Sequence, residues 1–326
     1  MAGKTVSIID LDLPDEARQF FVTEWGIEKL HPPQAESMKP IFSGNNALIA
    51  IPTASGKSLI AYIAILRKLL LDDVGSKAVY IVPLKALASE KYEELSQLGK
   101  ALNLTIGLGI GDSTSEAKKI DECDILVCTS EKLDSIIRNR SETMSRVSII
   151  VADEFHLMND SNRGPTLEIN LTKLRYLKPS AQIIALSATV GNCEDLAAWL
   201  NAELIMSNWR PVALEYSTFH DLHLEPRLVQ SSALSTQPSE LKPPRDLSGP
   251  KSHPTWVALN DSIDEEGQLL IFVGTRKSAE SEALKLSKRV SKKLSKTNPE
   301  KLADLESLSS SIEDKRQSAM ADKLVE

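Results

Sequence analysis

The sequence predicts an α/β fold, a parallel sheet covered by helices on both faces. Three observations predict it. Seven short, near-continuously apolar segments alternate with helical ones, the pattern of strands buried on both sides. One strand runs into a polar loop ending Gly56-Lys57-Ser58 that opens a helix, the context a phosphate-binding loop requires. The polar clusters follow the carboxyl ends of strands, where ligands bind in such sheets.

The chain has 326 residues, enough for two domains or for one and a fragment. Its hydrophobic share of 42% and charged share of 25% are those of an ordinary globular protein. A net charge of −7 argues against a bulk nucleic-acid coat protein and leaves room for a local basic track. Cys123, Cys128 and Cys193 lack metal-ligand spacing and read as buried, reduced thiols of a cytoplasmic protein. The longest apolar run of the helix after the loop, residues 59–66, is too short to span a bilayer, so no membrane role is expected.

Residues 1–28 read as a polar lead-in with one helix near 14–25. Next comes His31-Pro32-Pro33-Gln34, where two prolines set an extended backbone before a helix start. Gln34 held there can offer an amide donor and acceptor to adenine, or simply cap the helix. Residues 47–51 form a short strand, and Pro52, Thr53, Ala54, Ser55, Gly56, Lys57 and Ser58 form the loop. Backbone N–H groups at the following helix start lack intrahelical partners and point at an anion. Gly56 permits close approach, Lys57 supplies a point charge, and the Ser58 hydroxyl is the expected magnesium ligand. Ile51 stands where the general pattern has glycine.

A helix over 59–71 leads to a strand at 77–82, after which Pro83-Leu84-Lys85 opens another helix. Strands at 105–110, 124–128, 147–152, 182–186 and 203–206 follow, with helices to 139 and over 193–200. The third strand ends at Gly111-Asp112-Ser113. The fourth runs into Thr129-Ser130-Glu131-Lys132, the fifth into Asp153-Glu154-Phe155-His156 and the sixth into Ser187-Ala188-Thr189. A carboxylate at Asp153 can hold a magnesium ion bridging β- and γ-phosphates, and Glu154 beside it can orient and deprotonate water.

These readings divide the chain into a lead-in (1–28), an ATP-binding domain (29–215), a proline- and serine-rich linker (216–264) and a partial second domain (265–326). The last opens with a buried strand at 268–273, then Gly274-Thr275-Arg276 and a lysine-rich helix. An incomplete sheet leaves apolar surface and a strand edge unpaired, so residues 265–326 are expected to be mobile or aggregation-prone.

In order and spacing, Gln34, the 52–58 loop, Pro83-Leu84-Lys85-Ala86-Leu87, Thr129-Ser130-Glu131-Lys132, Asp153-Glu154-Phe155-His156 and Ser187-Ala188-Thr189 resemble the superfamily-two helicases. Asp-Glu-x-His resembles the Ski-like DExH branch, as do the runs from Arg163-Gly164-Pro165 to Glu168 and Trp209-Arg210-Pro211-Val212. Over residues 20–280 the chain is most similar to the archaeal Hel-type DNA repair helicases. The resemblance implies a RecA-like domain and the start of a second. It also implies an ATP- and Mg²⁺-dependent 3′-to-5′ DNA helicase acting at stalled replication forks, with single-stranded or branched DNA as partner. His156, Ser187 and Thr189 would couple nucleotide state to domain movement. Lys85, Thr129, Ser130 and Glu131, with Thr275 and Arg276 from the second domain, would lie along the strand, mainly on sugar and phosphate.

Departures are His31 and Ser58 for commoner Tyr and Thr, and Phe155 for a smaller aliphatic residue. The family's Gln-x-x-Gly-Arg-x-Gly-Arg motif does not occur before Glu326, so weak hydrolysis by these residues alone is expected. An RNA-acting Ski-like helicase, or a nucleotide-gated nucleic-acid-binding module without unwinding activity, remains as an alternative.

Overall fold

Burial on both faces calls for strands that are apolar at nearly every position, and the computed structural model shows them in the middle of the sheet. It describes residues 6–110, 117–139, 141–189, 191–212, 214–227 and 243–311. These residues divide into two compact units, one up to Leu214 and one from Glu215 onward.

The first unit is built on strands β1 (Asn46–Ala50), β2 (Lys77–Val82), β3 (Ile106–Gly109), β4 (Ile125–Thr129), β5 (Val147–Ala152), β6 (Gln182–Ser187) and β7 (Ala202–Met206). They form one parallel sheet in the order β3-β4-β2-β5-β6-β1-β7. Every residue of β2, β4, β5 and β6 is buried. Alternate side chains leave opposite faces. Ala78, Tyr80 and Val82 therefore join one core, with Ile60, Ile63 and Leu95, while Val79 and Ile81 join the other, with Leu133, Leu171 and Leu200. The covering helices are α1 (Asp15–Thr23), α2 (Pro32–Phe42), α3 (Lys57–Arg67), α4 (Lys85–Leu102), α5 (Ala117–Glu122), α6 (Ser130–Asn139), α7 (Ser141–Ser145), α8 (Gly164–Leu177) and α9 (Cys193–Leu200). No described helix is long and apolar enough to cross a membrane. All three cysteines are buried and none is in a disulfide.

The strand order positions the site. β1 lies beside β6, and β6 beside β5. The loops leaving their carboxyl ends are thus neighbours, spaced about 4.8 Å strand to strand.

The structure differs from the sequence reading in several places. The N-terminal stretch is no lead-in: Ile8, Leu11, Leu13 and Phe21 are buried in the same core as α3, and Leu30 N–H donates to Val6. Helix α8 was not anticipated, although Leu167, Leu171 and Leu174 have helical spacing and all are buried. Gly111, Asp112 and Ser113 lie outside the described residues.

The second unit corrects two expectations. In the stretch read as a linker, the described residues form an antiparallel sheet of β8 (Tyr216–His220), β9 (His223–Arg227) and β10 (Arg245–Asp246), followed by helix α10 (Pro254–Asp264), and residues 228–242 lie outside the described residues. Leu222, Leu247 and Val257 make its small core. The hairpin turn is Asp221-Leu222, both at positive φ (49° and 68°), without the Asn-Gly or Asp-Gly that announces such turns. The expected buried strand at 268–273 is not a strand, and Leu270 and Phe272 are 77% and 87% exposed. A parallel strand needs neighbours, and among the described residues of this unit the only sheet is the antiparallel one. Helix α11 (Arg276–Thr297) forms as read, with Lys277, Lys285, Lys288 and Lys292 exposed.

Gly164 joins the turn after β5 to α8, and a Cβ there would stand 2.1 Å from the Met158 carbonyl oxygen. Gly164→Ala should cost about 1–3 kcal/mol in a denaturant titration. Gly191→Ala, with nothing within 4 Å, should stay within about 0.5 kcal/mol. Equal losses at both positions would contradict the close approach.

Candidate nucleotide site at the carboxyl ends of the strands

β1 hands the chain to a loop whose backbone leaves the usual regions twice. Ala54 has φ 62° and Gly56 has φ 72°, ψ 38°, and α3 begins at Lys57. Thr53, Ala54 and Gly56 are exposed, while Pro52 and Ser55 are buried. The first turn of α3 leaves unpaired N–H groups facing this loop.

Lys57 is 8% exposed. Its Nζ donates to the carbonyls of Ile51 and Ser187, each at 3.2 Å. Burial pushes its pKa down, while Glu154 and Asp153 act to raise it. The same Ser187 carbonyl accepts the Ile51 N–H at 3.2 Å. Lysine, loop and the Ser-Ala-Thr motif are thereby tied across β1 and β6.

Gln34 behaves otherwise than expected. It is 3% exposed. Its Oε1 accepts the His31 N–H at 2.7 Å, and its Nε2 donates to the carbonyls of Ser55 (3.3 Å) and Gly56 (2.9 Å). An amide nitrogen has two donors. Both are committed to the loop, so the adenine-facing edge is not on offer in this arrangement. Gln34 is a helix cap and a loop brace. A Cβ on Gly56 would meet its Nε2 at 2.3 Å, so that glycine answers to close approach as well as to positive φ.

The segment after β7 covers the loop from the other side. Trp209 packs on His31 with ring centroids 4.5 Å apart, Ser55 Oγ donates to the Trp209 carbonyl at 3.4 Å, and Arg210 reaches the Thr53 carbonyl at 3.5 Å. The Trp209-Arg210 run was legible as a motif, but its place against the loop was not.

The acidic pair follows β5. Asp153 Oδ2 accepts the Tyr80 hydroxyl and Oδ1 accepts the Glu154 N–H, both at 2.8 Å. Burial raises the Asp153 pKa against the lowering effect of these two bonds. Glu154 sits in the left-handed region (φ 50°, ψ 43°), an uncommon place for such a residue and one that recurs at functional sites. The turn then buries Phe155 completely in the second core. His156 Nδ1 lies 3.4 Å from Glu154 Oε2 and 3.4 Å from the Ala188 N–H. A ring nitrogen can accept from the amide or donate to the carboxylate, one at a time. Ser187 Oγ donates to the Ala188 carbonyl, and Thr189 is exposed.

Ser58 and Asp153 offer hard oxygen donors. No group of three or more His, Cys, Asp or Glu suited to a metal occurs among the described residues. That donor set fits magnesium, which commonly takes one or two protein oxygens and fills its shell with phosphate and water.

The expected nucleic-acid residues fare unequally. Lys85 and Glu131 are exposed at the starts of α4 and α6. Thr129 and Ser130 are buried, at 4% and 6% exposure. Thr129 Oγ1 accepts the Lys132 N–H at 3.4 Å, and the Ser130 carbonyl accepts from Asn170 at 2.7 Å. The Thr129 side chain serves the strand-to-helix turn, and both side chains are buried, against their reading as strand contacts. Ser130 and Glu131 nonetheless share one cleft with Asp153, Glu154 and Arg163. In the second unit Thr275 caps α11 by accepting the Ser278 N–H at 3.1 Å, and Arg276 is exposed.

Comparison with known proteins gives consistent findings. A family model described as DEAD/DEAH box helicase matches residues 31–196. The ATP-dependent DNA helicase Hel308 of Methanocella arvoryzae is 42% identical over 305 residues, 92% of this chain and 39% of that protein. Hel308 of Thermococcus kodakarensis is 43% identical over 306 residues, 93% of this chain and 25% of that one. For Pyrococcus horikoshii the values are 40%, 302 residues, 92% and 38%. The chain thus spans between a quarter and two fifths of these curated relatives. The structure of the DUF1998 helicase MrfA bound to DNA matches with TM-score 0.55 and 21% identity, covering 64% of this chain and 31% of that one, a likeness of fold.

If Gln34 braces the loop, Gln34→Ala should weaken ATP and base-free tripolyphosphate alike, roughly tenfold by calorimetry. Loss of ATP affinity with tripolyphosphate unchanged would show that it reads the base.

Proposed function

The chain belongs to the DEAD/DEAH box helicase family, and from that premise we propose that it is the ATP-binding portion of an ATP-dependent DNA helicase. One observation carries the reading: the phosphate loop, the acidic pair and the Ser-Ala-Thr motif meet at one edge of the sheet, with Lys57 joining two of them. Relatives at 40–43% identity named as DNA helicases support DNA over RNA as the substrate.

In this mechanism the loop amides and Lys57 bind the triphosphate, and Ser58 and Asp153 hold its magnesium. When bound, the magnesium ion neutralises charge on the phosphates. Glu154 orients the attacking water and takes its proton. His156, touching both Glu154 and the Ala188 amide, carries the nucleotide state to the Ser-Ala-Thr segment. Lys85 and Glu131 lie along the strand path. In the intact machine, ATP binding closes two motor domains on single-stranded or branched DNA, and hydrolysis reopens them with 3′-to-5′ polarity. An arginine finger is worth about 10³–10⁵ in rate in comparable enzymes. These 326 residues carry no Gly-Arg-x-Gly-Arg run, so by themselves they should turn ATP over slowly.

Glu154→Gln should keep nucleotide affinity and lower hydrolysis by about 10²–10⁴. Lys57→Ala should weaken binding itself, roughly 10–100-fold. A fluorescent nucleotide titration beside a phosphate-release assay separates the two. Equal loss of binding in both variants would refute this division of labour. Competition between matched DNA and RNA strands tests the substrate, and a clear RNA preference would reverse it.

A further inference from the structure

Tyr80 lies in the middle of β2, fully buried, and its ring belongs to the core beneath α3. A strand position buried on both faces calls for an apolar residue. Phenylalanine would fill the same space without bringing a hydroxyl that must then be satisfied. The hydroxyl here donates to Asp153 Oδ2 at 2.8 Å. Tyr80 therefore holds one of the two residues expected to take the metal.

We infer that Tyr80 is a positioning residue that fixes the Asp153 carboxylate for the magnesium–nucleotide complex. The inference rests on the nucleotide reading above. Asp153 Oδ1 is already held by the Glu154 N–H, so the phenol completes the restraint on both oxygens. Each carboxylate oxygen has a further lone-pair site, and those sites remain for an outer partner. Without the phenol one oxygen loses its anchor and the carboxylate gains rotamers in which it does not meet the metal. Partners of this kind commonly cost 10–100-fold in metal affinity when removed.

Tyr62 provides a control from the same cluster. Its ring centroid is 6.1 Å from that of Tyr80, and it is 2% exposed. Its hydroxyl donates to Glu94, which Lys91 also contacts at 3.1 Å. Both substitutions to Phe delete one buried phenol, and only one of those phenols touches Asp153.

The test measures binding of a fluorescent ADP analogue to the 326-residue chain, first in EDTA and then titrated with Mg²⁺, with Mn²⁺ binding by electron paramagnetic resonance as a second readout. Tyr80→Phe should match wild type in EDTA and need about 10–100-fold more Mg²⁺ for half-saturation. Tyr62→Phe should match wild type in both. An unchanged Mg²⁺ requirement in Tyr80→Phe overturns the inference, as does an equal rise in both variants. If Tyr80→Phe is less stable, the EDTA titration reports its folded fraction, and the metal dependence is then read on folded molecules. Absence of nucleotide binding by wild type would instead sink the nucleotide reading, so the two failures are distinguishable.

Discussion

A buried ammonium group must have partners, and the site is arranged around that requirement at Lys57. Its partners are carbonyls from the ends of β1 and β6. The two strands are adjacent, so one side chain fixes the start of the phosphate loop against the Ser-Ala-Thr motif. The acidic pair leaves β5, the next strand along, and its charges act on the same lysine. An arriving polyphosphate competes with those carbonyls for the ammonium. Any ligand that recruits Lys57 thereby loosens the tie to Ser187.

The polar groups around the site are held from behind. Gln34 braces the loop, Trp209 and Arg210 lie over it, and Tyr80 anchors Asp153. Each supports a group proposed to touch ligand. Backbone in the left-handed region recurs here, at Ala54, Gly56 and Glu154. Such conformations persist only where surrounding contacts over-determine them. The braces supply those contacts, and Phe155, buried in the core immediately after Glu154, is another.

The second unit shows the same physics with the opposite outcome. Its hairpin and α10 close a small core around Leu222, Leu247 and Val257. Residues 268–273 are as apolar as β2 or β5, yet Leu270 and Phe272 lie exposed. Hydrophobicity makes a segment able to be a buried strand, but only a sheet beside it makes it one.

The sequence by itself determined the sheet: seven short, mostly apolar segments alternating with helices form it, with β2, β4, β5 and β6 buried throughout and the edge strands β3 and β7 only in part. It also determined which residues could carry chemistry, because Gly-Lys-Ser and Asp-Glu-x-His at strand ends have few other uses. Helix α8 was within reach of its Leu167, Leu171 and Leu174 spacing, whereas the Asp221-Leu222 turn left no recognisable trace. Tertiary structure alone decided how the site's polar groups are shared. Whether Gln34 faces a base or the loop, whether Thr129 and Ser130 are open to a nucleic acid or buried, and what the Tyr80 hydroxyl touches all depend on neighbours remote in sequence. Hydrogen bonds are short and directional, so their partners are set by how strands and helices come to lie together, which residue order does not record.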